Sequence, residues 1–160
     1  MTQAAPIRVF IHGLEGSSQG TKSRYLRQLF PDIITPDFRG SLEARMAQLE
    51  SLLESTSNLI LIGSSLGGLM AAIYTCQHTA RVQQLILLAP ALANDAFVPF
   101  HDCRVEVPAR VYHGTQDDVV PLEPVRAVAQ KVFTRLTFKD VVDDHFLSKT
   151  LTVIPWTQLI

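Results

Sequence analysis

Six short apolar runs punctuate the chain. They are "IRVFI" (7–11), "IIT" (33–35), "LILI" (59–62), "LILLA" (85–89), "ARVY" (109–112) and "LTFKDVV" (136–142). Most are too short for helices and end at Gly, Pro or Asp, as buried strands do. Helical patterns fill the gaps. Over 41–55, Leu42, Met46, Leu49 and Leu53 share one face, and Ser41 is placed to cap it. Helices are also predicted over 21–30, 65–78 and 121–133, the last opening on Pro121. The alternation predicts an α/β fold: a three-layer sandwich with a mostly parallel sheet of about six strands and helices on both faces. With no repeat, low-complexity tract or linker, residues 1–160 are expected to form a single domain.

Composition narrows the function classes. A formal net charge of −1 gives no reason to expect nucleic acid or an anionic membrane as partner. Cys76 and Cys103 have no CxxC or Cys/His ligand spacing and read as ordinary thiols of a reducing, cytoplasmic environment. The start, "MTQAAPIRVFIHG", lacks a basic segment followed by an apolar core, so no signal peptide is expected. The longest apolar run, 85–93, is broken by Pro90 and too short to span a bilayer.

In parallel sheets, ligands bind at the carboxyl ends of the strands. There the chain reads "NLILIGSSLGGLMAAIY" (58–74). Gly63-Ser64-Ser65-Leu66-Gly67 matches G-x-S-x-G between an apolar strand and a helical segment. A serine on that sharp turn needs strained backbone angles, and the glycines remove side chains that would clash. Its hydroxyl then stands at a helix N-terminus, where N–H groups favour developing negative charge. Ser64 fits no such frame and reads as structural. A chance match arises in roughly one chain in twenty of this length. Gly-rich turns also bind phosphate, but "GSSLGG" is neither G-x-G-x-x-G nor a Walker loop with its lysine.

A serine nucleophile needs a base, and the base an orienting carboxylate. "ARVYHGTQDDVVP" places Asp117 and Asp118 after one strand, and "LTFKDVVDDHFL" places His145 after the last. The order Ser, acid, His is one that this chemistry uses. Asp118 is the rival acid on the residues alone, and Asp143 and Asp144 read as turn residues. His12 and His113, each in a strand-end "HG", read as buried hydrogen-bonding groups; His78 and His101 read as surface residues. The histidines have no partners at metal-ligand spacing, so no metal is expected. An oxyanion needs N–H donors. The amide of Leu66 follows the serine, and that of Leu14 lies in the loop "FIHGLEGSS" after the first strand.

Together "HGLEGSS", "PDFRG", "GSSLGG", "LLAPAL", "HGTQDDVVP" and "DDHF" resemble the α/β-hydrolases almost end to end. "IHGLEGSSQGTKSRYL" and "GSSLGG" are similar to the small YqiA/YcfP-like bacterial esterases. The resemblance implies a triad of Ser65, Asp117 and His145, an oxyanion hole at Leu14 and Leu66, and no cofactor. It implies the last six strands of the family core without the first two antiparallel ones. Only about twenty residues separate "LLAP" from "ARVYHG", too few for the helical lid that many relatives insert there. A short helix around 93–97 is expected instead, with an open pocket. Phe97, Val119 and Phe146 are its expected substrate-binding rim, with Phe100 and Val120 nearby.

The implied function is a serine hydrolase that cleaves small carboxylic esters or thioesters through an acyl-Ser65 intermediate. Fold and triad also admit a lactonase, a peptidase or an acyltransferase. A non-catalytic binding protein of the same fold and a phosphate- or nucleotide-binding module are the rivals from other classes. Oligomeric state stays open, as does whether the apolar tail "TVIPWTQLI" packs on its own domain or on a partner.

Overall fold

The computed structural model describes residues 4–160; residues 1–3 of the N-terminal stretch lie outside them. Five strands form one parallel sheet in sequence order: β1 (Ile7–Ile11), β2 (Leu59–Ser64), β3 (Val82–Leu88), β4 (Ala109–Gly114) and β5 (Leu136–Val141). Helices α1 (Thr21–Leu29), α2 (Leu42–Leu53), α3 (Leu66–Gln77), α4 (Leu122–Val132), α5 (Ser148–Val153) and α6 (Trp156–Leu159) connect and follow them.

Alternation along each strand explains the two covered faces. Val9, Leu59, Leu61, Leu85, Leu87 and Val111 point into a core with α2, α3 and α4. Their neighbours Phe10, Ile60, Ile62, Ile86, Leu88 and Tyr112 point the other way, onto α1, α5 and α6. Both sets are apolar, so the strands read as continuous apolar runs rather than as an alternating pattern.

The run "IIT" does not become a full strand. Ile34 makes one parallel bridge to Val9, through Phe10 N–H to Ile34 O and Ile34 N–H to Arg8 O, each 2.9 Å. Pro36, which has no N–H, follows immediately and cannot extend the ladder. About six strands thus become five plus a bridge at the β1 edge. The chain then crosses β1 to build β2 on its other side, so the winding reverses at β1, beside the end of β2. That reversal opens the crevice in which parallel sheets hold their ligands.

The α2 face holds: Leu49 and Leu53 are buried, and Ser41 Oγ accepts the Ala44 N–H at 3.1 Å. Arg45 is buried there too, with Nε donating to Gly40 O at 3.0 Å, which its charge hides from an apolar-pattern search. The short helix expected around 93–97 is a 3-10 segment, Asp95–Phe100, and no lid domain covers the sheet among the described residues. No helix among them is long and apolar enough to cross a membrane.

The C-terminal tail packs on its own domain. Ile154 and Trp156 are buried with Leu26 and Phe30 of the α1 layer, and the Trp156 indole N–H donates to Leu151 O at 2.8 Å. Cys76 and Cys103 are free, half-buried thiols. Burial first, and the Cys103 thiol second, push Cys76 up to about 12.

Two outcomes are expected. Trp156→Ala should cost about 3–5 kcal/mol in urea unfolding, since it removes a large buried ring and its hydrogen bond. Cys76 should resist iodoacetamide at pH 8, where only about one part in ten thousand is thiolate; rapid alkylation, read by mass spectrometry, would contradict its burial.

Candidate active site

Strand β2 runs straight into α3, and Ser65 is the single residue between them. Its backbone sits at φ 54°, ψ −115°, which costs a side-chain-bearing residue about 1–3 kcal/mol. Three contacts hold it there. Ser65 N–H donates to Leu88 O, and Ser65 O accepts the N–H groups of Gly68 and Ala91, each at 3.0 Å. The glycines of the frame allow close approach. A Cβ on Gly63 would come within 2.7 Å of Gly68 Cα, and one on Gly67 would strike the Ile11 and His12 carbonyls.

The structure brings the three expected side chains together. Ser65 Oγ lies 3.1 Å from His145 Nε2, and His145 Nδ1 lies 2.8 Å from Asp117 Oδ2. An ionised carboxylate only accepts, so Nδ1 carries the proton and Nε2 is free to accept from the serine hydroxyl. The rival Asp118 is exposed and takes no part. Burial alone would raise the Asp117 carboxyl, but N–H donation from Val120, His145 and Val119 outweighs it and holds the group below the usual carboxylate range. The Val119 and Val120 amides meet Oδ1 at 2.9 and 2.8 Å, which leaves Oδ2 for the histidine.

The loop that carries His145 is anchored on both sides. Asp143, expected as a turn residue, is buried: Oδ2 accepts the Lys149 and Thr150 amides and the Thr150 hydroxyl, while Oδ1 accepts the Asp144 amide. Burial raises the Asp143 carboxyl, yet these bonds hold it lowered. Asp144 Oδ1 accepts the Phe146 N–H, and Lys22 of α1 donates to Phe146 O at 2.6 Å. Burial lowers the Lys22 ammonium; Asp143 and Asp144 only partly offset it. Nothing in the local sequence marks Lys22, because its partner is 124 residues away.

Leu66 is the first residue of α3, where backbone N–H groups point outward unpaired. Neither its N–H nor that of Leu14 has a partner among the described residues. The Leu14 loop faces the serine closely: a Cβ on Gly13 would lie 3.3 Å from Ser65 Cβ and 3.9 Å from Leu66 N. His12 shapes this loop, as a buried hydrogen-bonding group should. Phe38 N–H donates to its Nε2 at 2.9 Å, so Nδ1 carries the proton and donates to Gly13 O at 2.6 Å. His113 is likewise buried and bonded; His78 pairs with Glu50 on the surface, and His101 is half-buried against Phe97.

The expected rim is partly corrected. Val119 and Phe146 are 63% and 66% exposed, and Leu14 joins them at 61%. Phe97 is 0% exposed: it packs in the α3-side core, stacked on Phe100, and lines no open rim. Val120 is core as well. In a lid-less chain the segment after β3 has to roof the sheet, and the ring is spent on that packing. Among the described residues no group of three or more His, Cys, Asp or Glu could hold a metal ion.

Comparisons agree with this architecture. Residues 32–104 match the family described as serine aminopeptidase, S33. No curated protein sequence matches. Among solved structures, alpha/beta hydrolase domain-containing protein 10 from mouse superposes with a TM-score of 0.81, at 17% identity over 99% of this chain and 90% of that one. Est1E from Butyrivibrio proteoclasticus gives 0.77 at 15% identity, over 95% and 84%. An alpha-beta serine hydrolase homologue from Coxiella burnetii gives 0.70 at 21% identity, over 91% and 80%. The chain therefore has the α/β-hydrolase fold.

Asp143→Asn should cost about 2 kcal/mol at pH 7, because an amide cannot accept the same set of donors. The native Asp143 value is depressed, so its stabilisation is present above the unfolded value of about 4 and is lost as pH falls through the native one. The gap between parent and variant urea midpoints should therefore narrow from pH 7 to pH 3.

Proposed function

We propose that the protein is a serine hydrolase that cleaves small carboxylic esters or thioesters through an acyl-Ser65 intermediate. The observation that carries this reading is the continuous relay of 3.1 and 2.8 Å from Ser65 through His145 to Asp117. His145 Nε2 takes the hydroxyl proton as Oγ attacks the carbonyl carbon. The Leu14 and Leu66 amides stabilise the oxyanion, and Asp117 stabilises the imidazolium. The tetrahedral centre collapses, the bond to the leaving alkoxide or thiolate breaks, and that group takes the proton from His145. Water, deprotonated by His145, then attacks the acyl carbon and returns Ser65 with the free acid.

The site requires no cofactor for these steps. The exposed rim of Leu14, Val119 and Phe146 suits a small apolar acyl or alcohol portion. Two cysteines with no CxxC or ligand spacing suit a reducing, cytoplasmic setting. A second reading, peptide cleavage on the same triad, is favoured by the serine aminopeptidase match over residues 32–104.

A fluorophosphonate should label Ser65 of the folded protein, located by peptide mass spectrometry. Ser65→Ala should abolish labelling and lower ester turnover on the order of a millionfold, with folding retained. Ester hydrolysis by Ser65→Ala at the parent rate would overturn the assignment. Faster release of p-nitroaniline from aminoacyl anilides than of p-nitrophenol from esters would select the peptidase reading.

A further inference from the structure

We propose that His113 is a positioning residue: its Nε2–H closes the loop that carries Asp117 and so keeps the carboxylate aligned on His145. This rests on the hydrolase reading above.

His113 is the second-last residue of β4 and is fully buried. Its Nε2 lies 2.9 Å from Val120 O and 3.4 Å from Asp117 Oδ2. Both partners only accept, so Nε2 carries the proton. Nδ1 is then a bare acceptor, buried with no partner among the described residues. An orphaned buried polar atom is destabilising, and a site that wanted only volume would hold Phe or Leu there. The cost is tolerated where the other nitrogen makes a contact that no hydrocarbon can.

That contact closes the neck of the loop. Val120 is gripped on both sides: its N–H donates to Asp117 Oδ1 at 2.8 Å, and its carbonyl accepts from His113. The imidazole thus ties the end of β4 to the last residue of the acid loop, and the carboxylate hangs between them. The direct approach to Oδ2, at 3.4 Å, is longer than a good N–H···O bond of about 2.7–3.2 Å, so the Val120 tether dominates. The ring is kept in place by stacking on Phe138, 6.5 Å between centroids and 16° between planes.

Other charges surround the two histidines. Asp140 of β5 is the register neighbour of His113 and is taken up by Arg126 of α4 at 2.6 Å, which also holds Glu123. His145 faces Asp117, Ser65, Asp143 and Asp144, with Lys22 of α1 behind its loop. None of these groups is changed in the test.

The experiment follows the rate of Ser65 phosphonylation against pH for the parent, His113→Phe and His113→Gln, with melting temperatures alongside. His113→Phe keeps a ring and removes the N–H; His113→Gln returns an N–H of similar reach. With the tether cut, Asp117 supports the imidazolium less, so the acid limb of the profile should move to lower pH and the plateau should fall about tenfold. His113→Gln should restore both. A Phe variant with the parent plateau and limb, whatever its melting temperature, overturns the proposal. Should the Phe variant not fold, the parent decides by nitrogen-15 NMR: the Nε2–H tautomer of His113 supports the tether, and the Nδ1–H tautomer overturns it. Absence of labelling on the parent fails the hydrolase reading instead, and the tautomer still tests the tether.

Discussion

The carboxyl edge of the sheet is stitched strand to strand, and the candidate site depends on that stitching. Ser65 N–H donates to Leu88 O, Ala89 N–H to Tyr112 O, and Thr115 N–H to Val141 O. These bonds link the ends of β2, β3, β4 and β5, just where each strand gives way to a loop that carries a polar side chain. Ser65 and Ala89 both sit at positive φ, 54° and 45°. Neither conformation is favourable alone; each is held because the neighbouring strand supplies the partner for its amide. The strained serine is therefore a property of the assembled sheet rather than of the turn.

Charge is managed by the same economy of donors. Asp117 and Asp143 are both buried enough for desolvation to oppose ionisation, and both stay low because backbone amides saturate them. They do different things with that saturation. Asp143 spends its oxygens on Lys149, Thr150 and Asp144, which fixes the direction of the loop around His145. Asp117 gives one oxygen to the Val119 and Val120 amides and keeps the other for the imidazole. Two acids near one histidine are sorted by which has an oxygen to spare.

The missing lid has a structural counterpart in the core. The segment between β3 and β4 folds as a 3-10 turn whose Phe97 packs against the α3 layer. Leu14, Val119 and Phe146, from three separate loops, stay exposed.

Much of the fold was legible in the residues, since apolar runs and helical spacings are local properties. β1 and β4 begin where "IRVFI" and "ARVY" begin, and α2 starts one residue after Ser41. β3 begins three residues earlier than its apolar run, at Val82: Gln83 and Gln84 interrupt the hydropathy, and the ladder to β2 continues past them with a register shift that skips Gln83, pairing Leu59 with Val82 and Ile60 with Gln84. The run "IIT" stopped at a single bridge, which Pro36 and the lack of an outer neighbour decide together. Within the site, Ser65, Asp117 and His145 were readable from motif, order and strand ends. Lys22, the buried Asp143 and the Val120 tether of His113 were not, because each acts through contacts between distant segments or through a backbone atom that carries no residue signature. Phe97 was misplaced for a related reason: an aromatic ring near a site is written identically whether it faces substrate or core. By itself the sequence determined the alternation of strands and helices, the elbow and the order of the polar side chains, since these follow from local spacing and backbone sterics. Only the tertiary structure decided which oxygen faces which nitrogen and which rings are buried, since those depend on how separate loops meet at one edge of the sheet.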